Sequence, residues 1–472
     1  MPDDLGHLTP DEFRAAGHEL VEWCARYLES IDSVTVAPAV EPGWVRDQVR
    51  GGPPEGPDPW AEVLADLDRV VVPAITHWQS PRFLAYFPGN SSPAAVLGEL
   101  ATAVLGQQGM LWATSPVATE LEQVVCDWLV DLLGLPAAFR HEGGTGGGVI
   151  QDAASTATFV AVVAARDHAT GGDPSLLADL RAYTSVDAHS SVEKGLRLAG
   201  LGADQLRLVD VDGRRRMRPD LLAEQVEADL ANGLRPFLLT STVGTTSFMA
   251  VDPVAEVGTV ARRHGLWHHV DAAMAGSAGA DPALRPLVTD GLDTADSYCF
   301  DPHKWLLAGM DCDVLYVADR AKLVAAMSVV PEYLRNAASD SGEVVDFRDW
   351  GVALGRRFRA LKLWFVLRTY GAEGLRSLVA RGHRLATSLA ARVEEHPALD
   401  LVVPAHLALV CLAHRDGDEA TRRVLDAVNA TGSLVTHTRL DGRLVVRVST
   451  GQARTEARHL DDVWTAIATA AG

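Results

Sequence analysis

Cysteine is scarce in this 472-residue chain. The five present (Cys24, Cys126, Cys299, Cys312, Cys411) are scattered, and no two form a Cys-x-x-Cys pair. That excludes a disulfide framework and a structural zinc, and it fits free buried thiols in a reducing compartment. Positive charge is also short: 42 Lys and Arg stand against 62 Asp and Glu, for a net charge of −20 with no basic block. Nucleic acid and anionic membrane surfaces are therefore not expected partners. No uninterrupted apolar run approaches membrane-spanning length. The acidic start Met1-Pro2-Asp3-Asp4-Leu5 is not a signal peptide, so the expected location is cytoplasmic. Internal repeats and long low-complexity segments are absent as well.

What is present is ordinary globular material, 47% apolar and 22% charged, in a chain long enough for two or three domains. Thr9-Pro10-Asp11-Glu12 starts a helix, with Thr9 as N-cap, Pro10 at the first position and Glu12 closing a capping box. That helix runs through Tyr27, with Phe13, Leu20, Trp23 and Tyr27 as its apolar anchors. Prolines and glycines between Val36 and Pro59 mark an extended connector, and a helix over Val63–Val72 stops at Pro73. These first residues are too thin to hold a core of their own. From Phe83 to Tyr370 short apolar strands alternate with helical patterns, which predicts a mainly parallel α/β sheet. Over the last hundred residues, strand-like Leu399–Val403, Leu407–Leu412 and Leu444–Val448, an Asp441-Gly442 hairpin turn and two helices predict a separate α+β unit. The expected division is 1–82, 83–370 and 371–472.

Two residues carry the chemistry. Lys304, in Phe300-Asp301-Pro302-His303-Lys304-Trp305, follows an apolar run, where loss of hydration can leave the neutral amine that bonds an aldehyde. Asp271, at the end of another predicted strand, can keep a pyridine nitrogen protonated. Together they describe a pyridoxal 5'-phosphate (PLP) site. Gly143–Gly148 leads toward a helix; alone it reads as a flexible surface loop, and beside Lys304 and Asp271 as a phosphate cup, although no Walker lysine follows. His189 is either a loop histidine capping the next helix or an aromatic ring stacked on the pyridine. No metal site is expected.

Many ordered motifs extend this pattern: Glu41-Pro42-Gly43, Ser80-Pro81-Arg82-Phe83, Ala85-Tyr86-Phe87-Pro88, Trp112-Ala113-Thr114-Ser115-Pro116, Gly147-Gly148-Val149-Ile150-Gln151, Ala188-His189-Ser190-Ser191, His269-Val270-Asp271-Ala272-Ala273, Pro302-His303-Lys304-Trp305 and Leu354-Gly355-Arg356-Arg357-Phe358-Arg359. With them the chain resembles the group II PLP-dependent amino-acid decarboxylases, most of all the aromatic-L-amino-acid decarboxylases. The resemblance implies a fold-type I enzyme, with an N-terminal helical segment, a large PLP-binding domain, a small C-terminal domain and an active site at a homodimer interface. It implies that Lys304 bonds the cofactor aldehyde, Asp271 pairs with the ring nitrogen, and His189 and Ala273 cover the two ring faces. Ala154, Ser155 and His303 become phosphate-side neighbours, and Thr246 lies near the ring hydroxyl. Tyr333 becomes the proton donor after CO2 leaves, beside a polar lid at Asn336–Gly342, in preference to a packed loop tyrosine.

For the substrate pocket the resemblance implies Trp78, Tyr86, Phe87, Pro88, Gly89, Gln108, Met110 and Gly355. Gly89 stands where the animal enzymes carry Thr, and Gln108 and Met110 replace an aliphatic and an aromatic residue. Gly355 matches plant relatives that prefer indoles. These favour tryptophan, with tyrosine, 3,4-dihydroxyphenylalanine or phenylalanine as other candidates. Asp301 departs from the Asn of the animal enzymes, and Ala153 from a usual phosphate-binding Ser. Arg447 is either a salt bridge orienting the C-terminal domain or a substrate contact, and Arg356–Arg359 a structural or interface segment. Alternatives are an oxidative aldehyde synthase, a decarboxylase of histidine or of an acidic amino acid, and a catalytically silent binding subunit.

Overall fold

The structure is a computed structural model that describes residues 8–49, 51–329, 338 and 343–472. Its N-terminal helix, Pro10–Ser30, carries the expected capping box: the Thr9 hydroxyl accepts from the Glu12 amide, and the Glu12 carboxylate accepts from the Thr9 amide at 2.8 Å. Its anchors behave differently from expectation. Trp23 and Tyr27 stack on one another, but Phe13 and Leu20 are exposed, and only Ala16 of the helix is buried. Among the described residues the part of the stripe formed by Phe13 and Leu20 is left uncovered, while Trp23 and Tyr27 reach Asp68 and His77. The next helix begins at Trp60 and passes through a π turn into a 3-10 turn that contains Pro73.

Seven strands form the main sheet: β1 (Gly147–Gln151), β2 (Leu180–Ser185), β3 (Leu206–Val209), β4 (Arg235–Thr242), β5 (Trp267–Asp271), β6 (Ser297–Phe300) and β7 (Asp313–Val317). They lie in the order β1-β7-β6-β5-β4-β2-β3. All run parallel except β7, which is antiparallel to both β6 and β1. The expected mainly parallel sheet is thus observed, its strands buried on both faces as crossover helices require. Because six strands share one direction, their carboxyl ends lie on one edge, and β7 brings its first residue, Asp313, to the same edge.

A second sheet, antiparallel throughout, holds β8 (Leu399–Leu401), β9 (Leu409–His414), β10 (Thr436–Leu440) and β11 (Arg443–Ser449) in the order β10-β11-β9-β8. Asp441 and Gly442 join β10 to β11 with φ of 48° and 85°, the left-handed pair that a two-residue turn demands. The long helix Arg359–Glu395 breaks at Gly371 (φ 61°, ψ 176°) before reaching this sheet. Phe83–Ala85 also belongs here by its contacts: Phe83 bridges Leu434, and Leu84 exchanges backbone hydrogen bonds with Leu434 and Ser449. Among the described residues no helix is long and apolar enough to cross a membrane.

Candidate active site

Five of the six parallel strands deliver residues to the cavity at the carboxyl edge of the large sheet. Ala153–Ser155 follow β1, His189 follows β2, Thr246 follows β4, Asp271 ends β5, and Asp301–Lys304 turn away from β6. They line a cavity of about 260 Å³, together with Phe87, Ala273, Met274, His303 and Met310. The topology therefore brings together Lys304, Asp271, His189, Ala154, Ser155, Thr246, Ala273 and His303, all singled out from sequence. Tyr333 and the lid at 336–342 fall outside the described residues, apart from Ala338.

Lys304 is not the neutral amine that its apolar setting suggests. Burial favours that form, but the Asp301 carboxylate lies 2.6 Å from Nζ and outweighs it, so the lysine pKa is raised. Asp271 is buried, and burial lifts its carboxyl above the ordinary range, against an N–H donated by Ala273 at 3.0 Å and the nearby Lys304 and His189. A cation placed beside it would stabilise its charge. The His189 Nδ1 accepts from the Ser191 amide at 3.2 Å and contacts its hydroxyl at 2.9 Å, which leaves the proton on Nε2. His303 is buried with Nδ1 against the Cys312 amide and carbonyl, and burial lowers its pKa.

The glycine-rich loop is not the phosphate cup. It precedes β1 and so lies at that strand's opposite end, away from the cavity. Its glycines serve packing: a Cβ on Gly144 would come within 2.3 Å of the Arg140 carbonyl, and one on Gly146 within 1.8 Å of the Val317 carbonyl. The anion-binding feature is instead the N-terminus of the helix Ala154–Thr170, which opens on the cavity at Ala153–Ser155. Its N-cap is Ala153, whose side chain cannot cap; the Ala154 amide donates to Asp301 at 3.2 Å, and among the described residues the Ser155 amide is left for an anion. The Thr242 hydroxyl on the same wall is buried without a hydrogen-bond partner. An anion-binding helix end, an isolated buried carboxylate for a ring nitrogen, a lysine for an aldehyde and an unpaired hydroxyl fit PLP.

A second cavity, about 580 Å³, shares Phe87, His303, Lys304 and Met310 with the first. Trp78, Phe87, Gly89, Val96 and Met310 form its walls, with Gln79, Ser91 and Glu99 as polar points. Of the expected pocket residues, Trp78, Phe87 and Gly89 are here. Pro88 is buried behind the wall against Gly451, and Tyr86 is exposed, stacked on the outer side of Trp78. Gln108, Met110 and Gly355 line neither cavity. They form their own cluster, where the Gln108 Oε1 accepts from the Arg356 amide at 2.6 Å and the Met110 carbonyl from the Arg348 amide at 3.0 Å. Gln108 and Gly355 face outward from this chain. The Arg356 side chain is structural: it is buried on Glu122 at 2.6 Å and donates to the Ile150 carbonyl.

Arg447 makes no salt bridge among the described residues. Its guanidinium donates to the carbonyls of Thr246 and Ser247 and sits 5.8 Å from the Phe87 ring centre, tying β11 to both cavities. Sequence reading missed Asn90. Fully buried, it donates through Nδ2 to the carbonyls of Lys304 (2.5 Å) and Gly451 (2.8 Å) and accepts from the Ala453 amide at 2.8 Å. One asparagine in a short polar loop carries no periodic signal. Asp301 was visible only as a departure from Asn.

Comparison with known proteins points to the same cofactor. Residues 42–415 match the pyridoxal-dependent decarboxylase conserved domain. The chain is 42% identical to the phenylacetaldehyde synthase of Arabidopsis thaliana over 98% of its length and 96% of that protein. It is 40% identical to the aromatic-L-amino-acid decarboxylase of Bos taurus, covering 97% and 95% of the two chains. The crystal structure of Oryza sativa TDC with PLP and tryptamine superposes with a TM-score of 0.95 at 40% identity, covering 98% of each chain.

Proposed function

The chain belongs to the pyridoxal-dependent decarboxylase family, and from that premise we propose that it converts an aromatic L-amino acid, tryptophan foremost, to the amine and CO2. The observation that carries this reading is the junction of two cavities at Lys304, one built for PLP and the other walled by Trp78 and Phe87. When bound, PLP supplies an aldehyde that condenses with amines and a protonated ring that draws electrons from the bond to the carboxylate. Lys304 is the residue that bonds the aldehyde. Ser155 would offer its backbone amide to the phosphate, with Ala154 and His303 beside it. Asp271 keeps the ring nitrogen protonated, His189 and Ala273 hold the ring flat, and Thr246 lies on its hydroxyl side. Tyr333 gives its hydroxyl proton to the α-carbon.

Gly89 leaves room between Trp78 and Phe87 for a bicyclic side chain, and the tryptamine bound to the rice protein has that shape. Among the described residues the cavity wall offers an acidic substrate no arginine. Val96, Leu97, Leu100, Val104 and Leu105 expose apolar side chains on one helix, and Phe13 and Val21 do so on the first. Such a surface is what a second copy would cover, and we read the enzyme as a homodimer. The cluster of Gln108, Met110 and Gly355, with Gln108 and Gly355 facing outward, then completes the substrate cavity of the other subunit. The proposed units are an N-terminal dimerisation segment (1–82), a cofactor domain (83–370) and a small C-terminal domain (371–472), in a cytoplasmic enzyme.

A second reading is favoured by the likeness to phenylacetaldehyde synthase: an oxidative enzyme releasing aldehyde, ammonia and peroxide. Identities of 42% and 40% to the two activities do not separate them. His189 and Tyr333, both retained, favour the amine. The test is product analysis. Purified protein with PLP is given Trp, Tyr, 3,4-dihydroxyphenylalanine, Phe, His and Glu, and amine, aldehyde and peroxide are quantified together. Stoichiometric amine from an aromatic substrate without peroxide is expected. Aldehyde with peroxide would transfer the assignment to the second reading, and turnover of His or Glu alone would overturn the aromatic one.

A further inference from the structure

Two aspartates face each other beneath Lys304. The antiparallel ladder between β6 and β7 pairs Phe300 with Val314, and one step further Asp301 stands opposite Asp313. Both are almost fully buried, at 1% and 0% exposure. Like charges placed directly across an antiparallel pair repel, and in a site without water both cannot ionise. Their surroundings break the symmetry. Asp301 receives two donors, the Lys304 ammonium at 2.6 Å and the Ala154 amide at 3.2 Å. Among the described residues Asp313 receives none: both of its oxygens are buried without a donor. An anion is not sustained in that position, whereas a carboxylic acid is, because its O–H can donate to Asp301 within hydrogen-bonding reach. Burial and the neighbouring carboxylate both push the Asp313 carboxyl well above its ordinary range. The other ionisable groups facing the pair are Asp271 from β5, Tyr298 and Cys299 on β6, His303 on the same turn and Cys312 just before β7.

We infer that Asp301 and Asp313 hold one proton between them and act as a single negative charge that positions the Lys304 amine. This deepens the assignment of Lys304 as the cofactor-bonding residue and rests on it. Asp301 is then a positioning residue, and Asp313 the group that keeps its charge at minus one. A pair of charge zero would let burial strip Lys304 of its proton, and a pair of charge minus two would trap the ammonium. With one charge, a lysine freed by an incoming substrate ammonium takes up the proton which that ammonium sheds. The exchange then needs no net proton from solvent.

Two measurements on the full-length protein test this. In the infrared, wild-type protein at neutral pH shows a protonated carboxylic acid band that Asp313→Asn removes; a spectrum unaltered by Asp313→Asn overturns the shared proton. In the cofactor-free protein, the pH dependence of Lys304 labelling by an amine-selective reagent is followed by mass spectrometry. Asp313→Asn leaves the charge of the pair unchanged and is expected to leave the midpoint in place. Asp301→Asn removes the counter-ion and lowers the midpoint by about one unit or more, a roughly tenfold rise in labelling at neutral pH. An unshifted Asp301→Asn overturns the positioning role, and a fall in Asp313→Asn as large as in Asp301→Asn means that both carboxyls were ionised. Neither readout depends on turnover, so a failed substrate panel leaves this inference standing.

Discussion

Replacing Asn90 by alanine removes the one side chain that joins the backbone of Lys304 to the segment after β11. Three hydrogen bonds disappear, leaving the carbonyls of Lys304 and Gly451 and the amide of Ala453 without partners in a buried site. Each group stranded in this way costs about 1–3 kcal/mol. Water entering the small void recovers part of that, so the expected loss is on the order of 3–5 kcal/mol. Against a total stability of roughly 5–15 kcal/mol this is large. Urea unfolding of the holoprotein, read by fluorescence and by the absorbance of bound cofactor, measures it. Asn90→Asp keeps the acceptor for Ala453 but turns a negative charge toward two carbonyls, and is expected to be worse than alanine. Since Asn90 holds the Lys304 carbonyl directly, cofactor absorbance per mole of folded protein should fall as well. Stability within about 0.5 kcal/mol of wild type, with full cofactor absorbance, would refute the view that Asn90 fixes the lysine.

Gly146→Ala should prevent folding or lower soluble yield sharply, since its Cβ would meet the Val317 carbonyl at 1.8 Å. Any folded fraction should bind PLP normally, and a selective loss of affinity would restore the glycine loop as the phosphate cup. Asp271→Ala should keep the fold and lower kcat by several powers of ten, each worth about 1.4 kcal/mol; steady-state kinetics at saturating PLP read this, and a change under tenfold would remove Asp271 from the ring nitrogen. Acid should destabilise the protein through His268 and His269. Burial lowers them to about 4 and about 3, so below pH 6.5 the unfolded chain binds protons that the folded one refuses. Asp252, raised by burial to about 6, works in the opposite sense over pH 6 to 4. Asp271 and Asp313, also raised by burial, work in the same sense as Asp252, so the histidine share is read by difference. At roughly 1.4 kcal/mol per unit for each histidine, a His268→Gln/His269→Gln variant should lose about 3–4 kcal/mol less stability than wild type between pH 7 and 5. Urea unfolding at the two pH values measures this, and a double variant as acid-sensitive as wild type would contradict it.

Local signals survived the comparison with the structure well. The Thr9 capping box, the Asp441-Gly442 turn and the alternation of strands and helices are short-range features, decided by residues within a few positions of one another. Lys304, Asp271 and His189 were recognisable because each sits in a compact motif. The glycine loop misled because a run of glycines says that backbone approaches something closely, without saying what; here it is the carbonyls of Arg140 and Val317. Family resemblance puts Gln108, Met110 and Gly355 beside Trp78, whereas the single chain turns Gln108 and Gly355 outward and leaves Met110 half-buried, away from both cavities.

By itself, then, the amino-acid order determined the elements, the lysine proposed to react and the kind of cofactor that a lysine and a strand-end aspartate can serve. Tertiary structure alone decided which end of β1 faces the cavity, that Asn90 reaches the Lys304 backbone across more than two hundred residues, and that Asp301 lies 2.6 Å from Nζ. The division follows from range. Propensity and capping act over one or two turns of chain, whereas strand direction, register and the charge state of a buried group depend on neighbours that only folding brings close.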